Sequence, residues 1–181
     1  ERGNLILSRD RFGEKPLFTW FRDGTLYFAS EIKTLTAMAG SKAPVNADQL
    51  RRYLVNGYKS LGKSGETYFK GIDAFPAAGY AVLKAPASPV AQSYWQLPTR
   101  SLETTFDEAV AHAKALLTHA VDLRMRADVP LAFCLSGGVD SATLAAIAAK
   151  DMGRDIHCYS IIDSDERYDE SVNIRTMVAH L

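Results

Sequence analysis

The segment Leu135-Ser136-Gly137-Gly138-Val139-Asp140-Ser141 constrains this chain more than any other. It lies between the short apolar run Pro130 to Leu135 and the Ala-rich stretch Val139 to Met152. That order predicts a buried strand, a glycine turn and a helix. Two adjacent residues without Cβ let the backbone turn sharply and come close to a ligand. The amides of Gly138 through Ser141 then fall at a helix N-terminus, where free N–H groups and the helix dipole favour an anion. Ser136 and Ser141 add hydroxyls. Asp140 would repel phosphate by itself, so its place in the loop makes sense if it holds Mg²⁺ that bridges to the phosphates.

A second string also fits a phosphate-loop pattern. Gly57 to Ser64 reads G-x-x-x-x-G-K-S. That mechanism needs a strand before the glycines and a helix after them. Here the Asn46/Gln49 pair opens a helix through about Val55 just upstream, and Gly65 to Gly71 is poor helix material. The string is read as a surface loop.

Around this loop the pattern changes character. Residues 4–8, 16–21 and 25–29 read as strands, with a polar turn over 9–15 and a hairpin signal at Asp23-Gly24. Ser30 is placed to cap a short helix through Ala39. Gly79 to Lys84 reads as another strand, and the prolines at 86 and 89 then break regular structure. After residue 97 the chain alternates. Thr105 and Glu108 form a capping box ahead of a helix whose apolar residues Phe106, Val110, Leu116, Leu117 and Val121 recur at helical spacing. Ile156 to Ile162 reads as a strand, and Tyr168 to Leu181 as a helix facing inward through Ile174, Met177, Val178 and Leu181. Strand, helix, strand implies a parallel sheet. The fold class is α+β followed by α/β, with a boundary between residues 1–97 and 98–181.

Composition excludes little but usefully. The 181 residues carry 21 basic and 21 acidic side chains, so there is no electrostatic case for nucleic acid or an acidic membrane surface. No apolar run approaches the roughly 20 residues of a spanning helix. Cys134 and Cys158 sit in apolar strand-like runs and read as buried, reduced thiols, consistent with a cytoplasmic protein, with a disulfide between neighbouring strands as the unneeded alternative. The start, Glu1-Arg2-Gly3-Asn4, has no Met and runs into a strand at once, so the chain reads as an internal fragment.

The S-G-G-x-D-S loop resembles that of the ATP pyrophosphatases, which cleave ATP between the α and β phosphates and adenylate a substrate. Upstream, Arg9 to Leu17 (RDRFGEKPL) resembles the R-D-x-x-G-x-K-P-L segment of class II glutamine amidotransferase domains in asparagine synthetases. Phe28 to Leu35 (FASEIKTL) resembles their F-A-S-E-I-K-A-L. Thr67 to Ile72 resembles T-x-F-K-G-I, Tyr94-Trp95 the closing Y-W, and Phe75 to Tyr80 a P-P-G-H segment with Ala78 and Tyr80 in place of Pro and His. The order holds across nearly the whole chain, which resembles the middle of a glutamine-hydrolysing asparagine synthetase.

The resemblance implies the end of an Ntn-type glutaminase antiparallel sandwich over 1–97. The start of a parallel-sheet, adenine-nucleotide alpha-hydrolase-like synthetase domain would follow over 98–181. It implies an AMP-forming ligase of asparagine biosynthesis. Aspartate, glutamine and ATP would become asparagine, glutamate, AMP and PPi through β-aspartyl-AMP, with Mg²⁺ as cofactor and a homodimer possible at full length. The ATP contacts that carry over are Ser136, Gly137, Gly138, Asp140 and Ser141 around pyrophosphate, with Asp140 on Mg²⁺ through the phosphates, and Cys134 and Ile161 near adenine. Asp169 and Glu170 match an acidic pair at the next helix start and read as a helix cap. The nucleophilic Cys, the glutamine grip and the second nucleotide loop fall outside the chain, so no catalytic residue is expected within it. Alternatives are an amidotransferase or β-lactam-synthetase-like enzyme acting on another carboxylate, and an inactive fragment.

Overall fold

A computed structural model describes residues 3–57, 65–99, 101 and 103–181. The chain separates into two compact units, Glu1–Arg100 and Ser101–Leu181.

The first unit contains two antiparallel sheets. Strand β1 (Leu5–Ser8) does not pair with the strand that follows it. It pairs with β5 (Gly79–Leu83), Leu5 opposite Leu83 and Ser8 opposite Tyr80, and the short β6 (Gln92–Ser93) flanks β5. The second sheet runs β3-β2-β4, from Thr25–Ala29, Phe18–Arg22 and Ile72–Ala74. The three strands expected in the first forty residues are therefore antiparallel but divided between two sheets. The cause is the segment after β1, which closes into a braced loop rather than a hairpin. The Arg9 guanidinium donates to the carbonyls of Lys15, Phe75 and Gly13 at 2.8, 2.6 and 2.9 Å. The Asp10 carboxylate accepts from the amides of Phe12, Glu14 and Lys15 at 3.3, 2.8 and 3.0 Å. The aromatic pair that ends the unit completes the brace: Tyr94 Oη donates to the Arg9 carbonyl at 2.8 Å, and Trp95 meets Phe12 edge-on.

The β2–β3 hairpin turns through Asp23 and Gly24, both at positive φ (49° and 74°), as a two-residue type I′ turn requires. Helix α1 (Ile32–Met38) lays the fully buried Leu35 against Trp20 and Ile72. Its N-cap is Glu31, with no side-chain cap bond, so the expected Ser30 cap is corrected. Helix α2 (Ala47–Asn56) is capped by Asn46, which accepts from the Gln49 amide, and ends at Gly57 in the left-handed conformation (φ 71°). The G-x-x-x-x-G-K-S string thus follows a helix, while its residues 58–64 lie outside the described residues.

Ala78 corrects one register of the resemblance. It is buried at φ 53°, donates its amide to the Asp10 carbonyl at 2.9 Å, and accepts from Tyr94 N at 2.9 Å. Proline is locked near −65° and has no N–H, so it cannot stand there. Shifting the alignment by one residue puts the glycine of P-P-G-H at 78, and that fits the backbone.

In the second unit, α3 (Phe106–Arg124) starts at the expected capping box. Thr105 Oγ1 accepts from Glu108 N at 3.3 Å, and Glu108 Oε2 accepts from Thr105 N at 2.9 Å. Strands β7 (Ala132–Cys134) and β8 (His157–Tyr159) form a parallel pair, with Cys134 opposite Tyr159. Between them run α4 (Val139–Ala146) and a wider π-helical turn, Ile147–Asp151. The buried Ile147 and Ala148 of that turn pack on Val121. Helix α5 (Ser171–His180) adds Ile174 to Leu135 and Ala145. It starts three residues later than expected, behind a turn in which Tyr168 N donates to Asp165 O at 2.9 Å.

Several expected core positions are open. Only Val121 of the apolar α3 stripe is buried, whereas Phe106, Val110, Leu116 and Leu117 are exposed, as is Val178 on α5. The strand pair is covered on one face, through Phe133, Ile156 and Cys158. Its other face, with Ala132, Cys134, His157 and Tyr159, is exposed. Cys134 is therefore an exposed thiol rather than a buried one, because side chains alternate across a strand and the helices lie on one side only. Cys158 is half-buried, and its burial pushes the thiol pKa up.

Candidate functional site: the Ser136–Ser141 loop

The loop begins where β7 gives way to α4. Leu135 carries the parallel ladder one step past the strand, donating its amide to the Tyr159 carbonyl at 2.8 Å, and its side chain is buried. Ser160 Oγ donates to the Leu135 carbonyl at 2.7 Å, which ties the two strand ends together below the loop. The C-terminal edge of a parallel sheet is where open α/β folds bind ligands.

Two serines close the loop. Ser136 N donates to Ser141 Oγ at 3.1 Å, and the two hydroxyl oxygens lie 2.9 Å apart. Ser141 Oγ has the carbonyls of Ser136 and Gly138 in reach at 3.1 and 3.2 Å. In this state both hydroxyls serve the loop itself. Gly138 N makes a long bond of 3.3 Å to Ser136 Oγ. The amides of Val139, Asp140 and Ser141 occupy the first turn of α4 and have no acceptor among the described residues. Three convergent N–H groups at a helix N-terminus suit an anion.

Neither loop glycine has positive φ, and Gly138 is extended (φ −85°, ψ 155°). Gly137 is required by packing: a Cβ there would lie 2.9 Å from Cβ of both Glu170 and Asn173 on the approach to α5. The same neighbour uses its amide, since Glu170 Oε2 accepts from Gly137 N at 3.1 Å.

The acidic pair divides its work. Asp169 takes the capping role: its carboxylate accepts from Ser171 N and Ser171 Oγ, both at 2.8 Å. Those bonds, helped by Arg175, hold its pKa below the ordinary carboxylate range. Glu170 makes no side-chain cap bond and reaches the loop instead, which corrects its reading as a cap. Ser160, Glu170 and Asn173 are thus missing from the sequence-derived site. Of these, only Glu170 carried a signal, its place in an acidic pair before a helix.

The Asp140 side chain is exposed, and its carboxylate has no hydrogen bond or ion pair among the described residues. No group of three or more His, Cys, Asp or Glu is arranged to hold a metal ion among the described residues. One free carboxylate suits Mg²⁺ only when phosphate oxygens and water complete the shell, and Mg²⁺ is commonly bound that way. Cys134 is the last residue of β7, Ile161 lies two residues past the end of β8, and Ile161 is 94% exposed. Beside the loop lies an open groove lined by Gly137, Gly138, Val139, Ala142, Met177 and His180.

The chain thus joins an antiparallel two-sheet unit to an α/β unit that carries an anion-ready strand–helix loop, the order of a two-domain protein. The Glutamine amidotransferase domain model matches residues 1–95, and the Asparagine synthase model matches 112–181. The chain belongs to the asparagine synthetase family, in which an amidotransferase domain precedes the synthase domain. It is 32% identical over 176 residues to glutamine-hydrolysing asparagine synthetase 3 of Bacillus subtilis, covering 93% of this chain and 28% of that protein. It is 29% identical to glutamine-hydrolysing asparagine synthetase 2 of the same organism, covering 89% of this chain and 22% of the relative. Amidase chyE of Penicillium rubens is also 29% identical, with 94% of this chain and 27% of the relative covered. The chain therefore spans about a quarter of the length of these curated relatives. No helix among the described residues is long and apolar enough to cross a membrane.

Proposed function

We propose that the protein containing this chain makes an amide at the expense of ATP: aspartate, glutamine and ATP give asparagine, glutamate, AMP and PPi through β-aspartyl-AMP. Residues 1–97 belong to the amidotransferase domain and 98–181 to the synthetase domain in this reading. The observation that carries it is the open loop: the three free amides of Val139, Asp140 and Ser141, held at a strand–helix junction in a chain that also matches an amidotransferase model.

The loop amides would bind the β and γ phosphates and hold them as the leaving group. The acceptor carboxylate attacks the α phosphorus, and the α–β bridging bond breaks toward the bound pyrophosphate. Ammonia from glutamine hydrolysis then attacks the acyl carbon and AMP leaves. Mg²⁺ supplies charge neutralisation on the phosphates when bound, and Asp140 is the residue of this chain that would face it. Cys134 and Ile161 would flank adenine, a role that needs shape more than chemistry.

ATP–pyrophosphate exchange by the full-length protein tests the reading. Exchange that depends on aspartate and Mg²⁺ is the expected result, and exchange indifferent to aspartate would overturn asparagine synthesis. A second reading, amide formation on another carboxylate, draws on the amidase-named relative. Exchange driven by a different carboxylic acid would favour it.

A further inference from the structure

We propose that Glu170 is a positioning residue for the nucleotide loop, an assignment that rests on the phosphate-binding reading above. Its carboxylate anchors the Gly137 N–H at 3.1 Å, while its Cβ and that of Asn173 leave no room for a side chain on Gly137. Gly137 is thus held through its amide by Glu170, just ahead of α5, and through its α-carbon face by Glu170 and by Asn173 of that helix. Two consecutive glycines have wide conformational freedom and lose much entropy when fixed. A charge-assisted bond to the first of them fixes the peptide that enters the turn. The amides of Val139, Asp140 and Ser141 are then left to face phosphate. The neighbouring Asp169 is occupied by Ser171, so the two carboxylates are not interchangeable.

The competing role for Glu170 is repulsion, a carboxylate that phosphate must displace, and the two roles have opposite signs. The test measures MgATP affinity and the KM for MgATP in pyrophosphate exchange for full-length Glu170→Ala, Glu170→Gln, Asp169→Ala and Ser141→Ala. Positioning predicts that Glu170→Ala weakens MgATP about tenfold or more. Glu170→Gln stays within about threefold of wild type, because its amide oxygen still accepts from Gly137 N–H. Asp169→Ala lowers the melting temperature through its lost cap and leaves KM within about twofold. Tighter MgATP binding in both Glu170 variants overturns the proposal in favour of repulsion. Equal weakening in Asp169→Ala and Glu170→Ala overturns it in favour of general loosening of α5. If Ser141→Ala weakens MgATP and Glu170→Ala does not, the Glu170 role alone falls. If neither does, the loop reading falls and takes this one with it.

Discussion

The hydroxyls of Ser136 and Ser141 lie 2.9 Å apart, joining the first and last residues of the candidate loop across its mouth. Ser141 Oγ also accepts the Ser136 amide at 3.1 Å, so one side chain at the start of α4 holds the end of β7 in place. Ser141→Ala removes both bonds. It should cost about 1 kcal/mol of loop order and weaken MgATP binding about tenfold. Nucleotide titration reads the second effect, and faster hydrogen exchange at the Ser136 amide reads the first. An unchanged exchange rate at Ser136 would show that the serine pair does not hold the loop.

Ala78 offers a test of backbone conformation. At φ 53° with its amide bonded to Asp10 O, it cannot be replaced by proline without losing both. Ala78→Pro should destabilise the first unit by about 3 kcal/mol or more. Ala78→Gly should leave stability unchanged or raise it by up to about 1 kcal/mol, since glycine relieves the left-handed strain. Denaturant unfolding of the two variants decides the register, and a well-tolerated proline would restore the original alignment.

Asp10 makes the first unit sensitive to acid. Bonds from the Lys15 amide first, then from Glu14 and Phe12, hold its carboxyl below the ordinary 3.8. Stability from a carboxyl of this kind is fully present above the unfolded-state value and is lost as pH falls through the folded one. Glu108, Asp165 and Asp169 are shifted in the same direction by their own hydrogen bonds, and they outnumber Asp73, whose carboxyl pKa is raised by burial and then by Glu66 and so acts with the opposite sign. The unfolding midpoint should therefore fall between roughly pH 5 and roughly pH 3. Asp10→Asn should flatten that descent and lower stability at neutral pH. A midpoint rising with acid would contradict the assigned bonds.

The two cysteines should differ in reactivity. Cys134 is exposed, whereas Cys158 is half-buried with its thiol pKa raised by burial. Iodoacetamide should label Cys134 first, and MgATP should slow that labelling if adenine lies at the C-terminal ends of β7 and β8. Peptide mass mapping over a time course separates the sites. Faster modification of Cys158 would reverse the assignment of faces on the strand pair.

Most local structure was legible in the sequence. The Thr105/Glu108 box, the Asn46 cap and the Asp23-Gly24 turn are short-range patterns, and each forms as expected. β4 and β6 were not legible: three and two residues are too few to show an alternation. The α3 stripe was legible as a pattern but not in its outcome, because periodicity marks an apolar face without saying whether anything covers it.

By itself the sequence determined the strand–loop–helix order around Ser136 to Ser141, the change from antiparallel to alternating structure, and the family. All of these are written in neighbouring residues, where propensity, capping and glycine placement act. Tertiary structure alone decided that β1 joins β5 across some seventy residues, that Gly137 is needed for the approach of α5, and that Glu170 reaches the loop while Asp169 caps the helix. These depend on which distant side chains meet once the chain has closed on itself, and no local pattern encodes that.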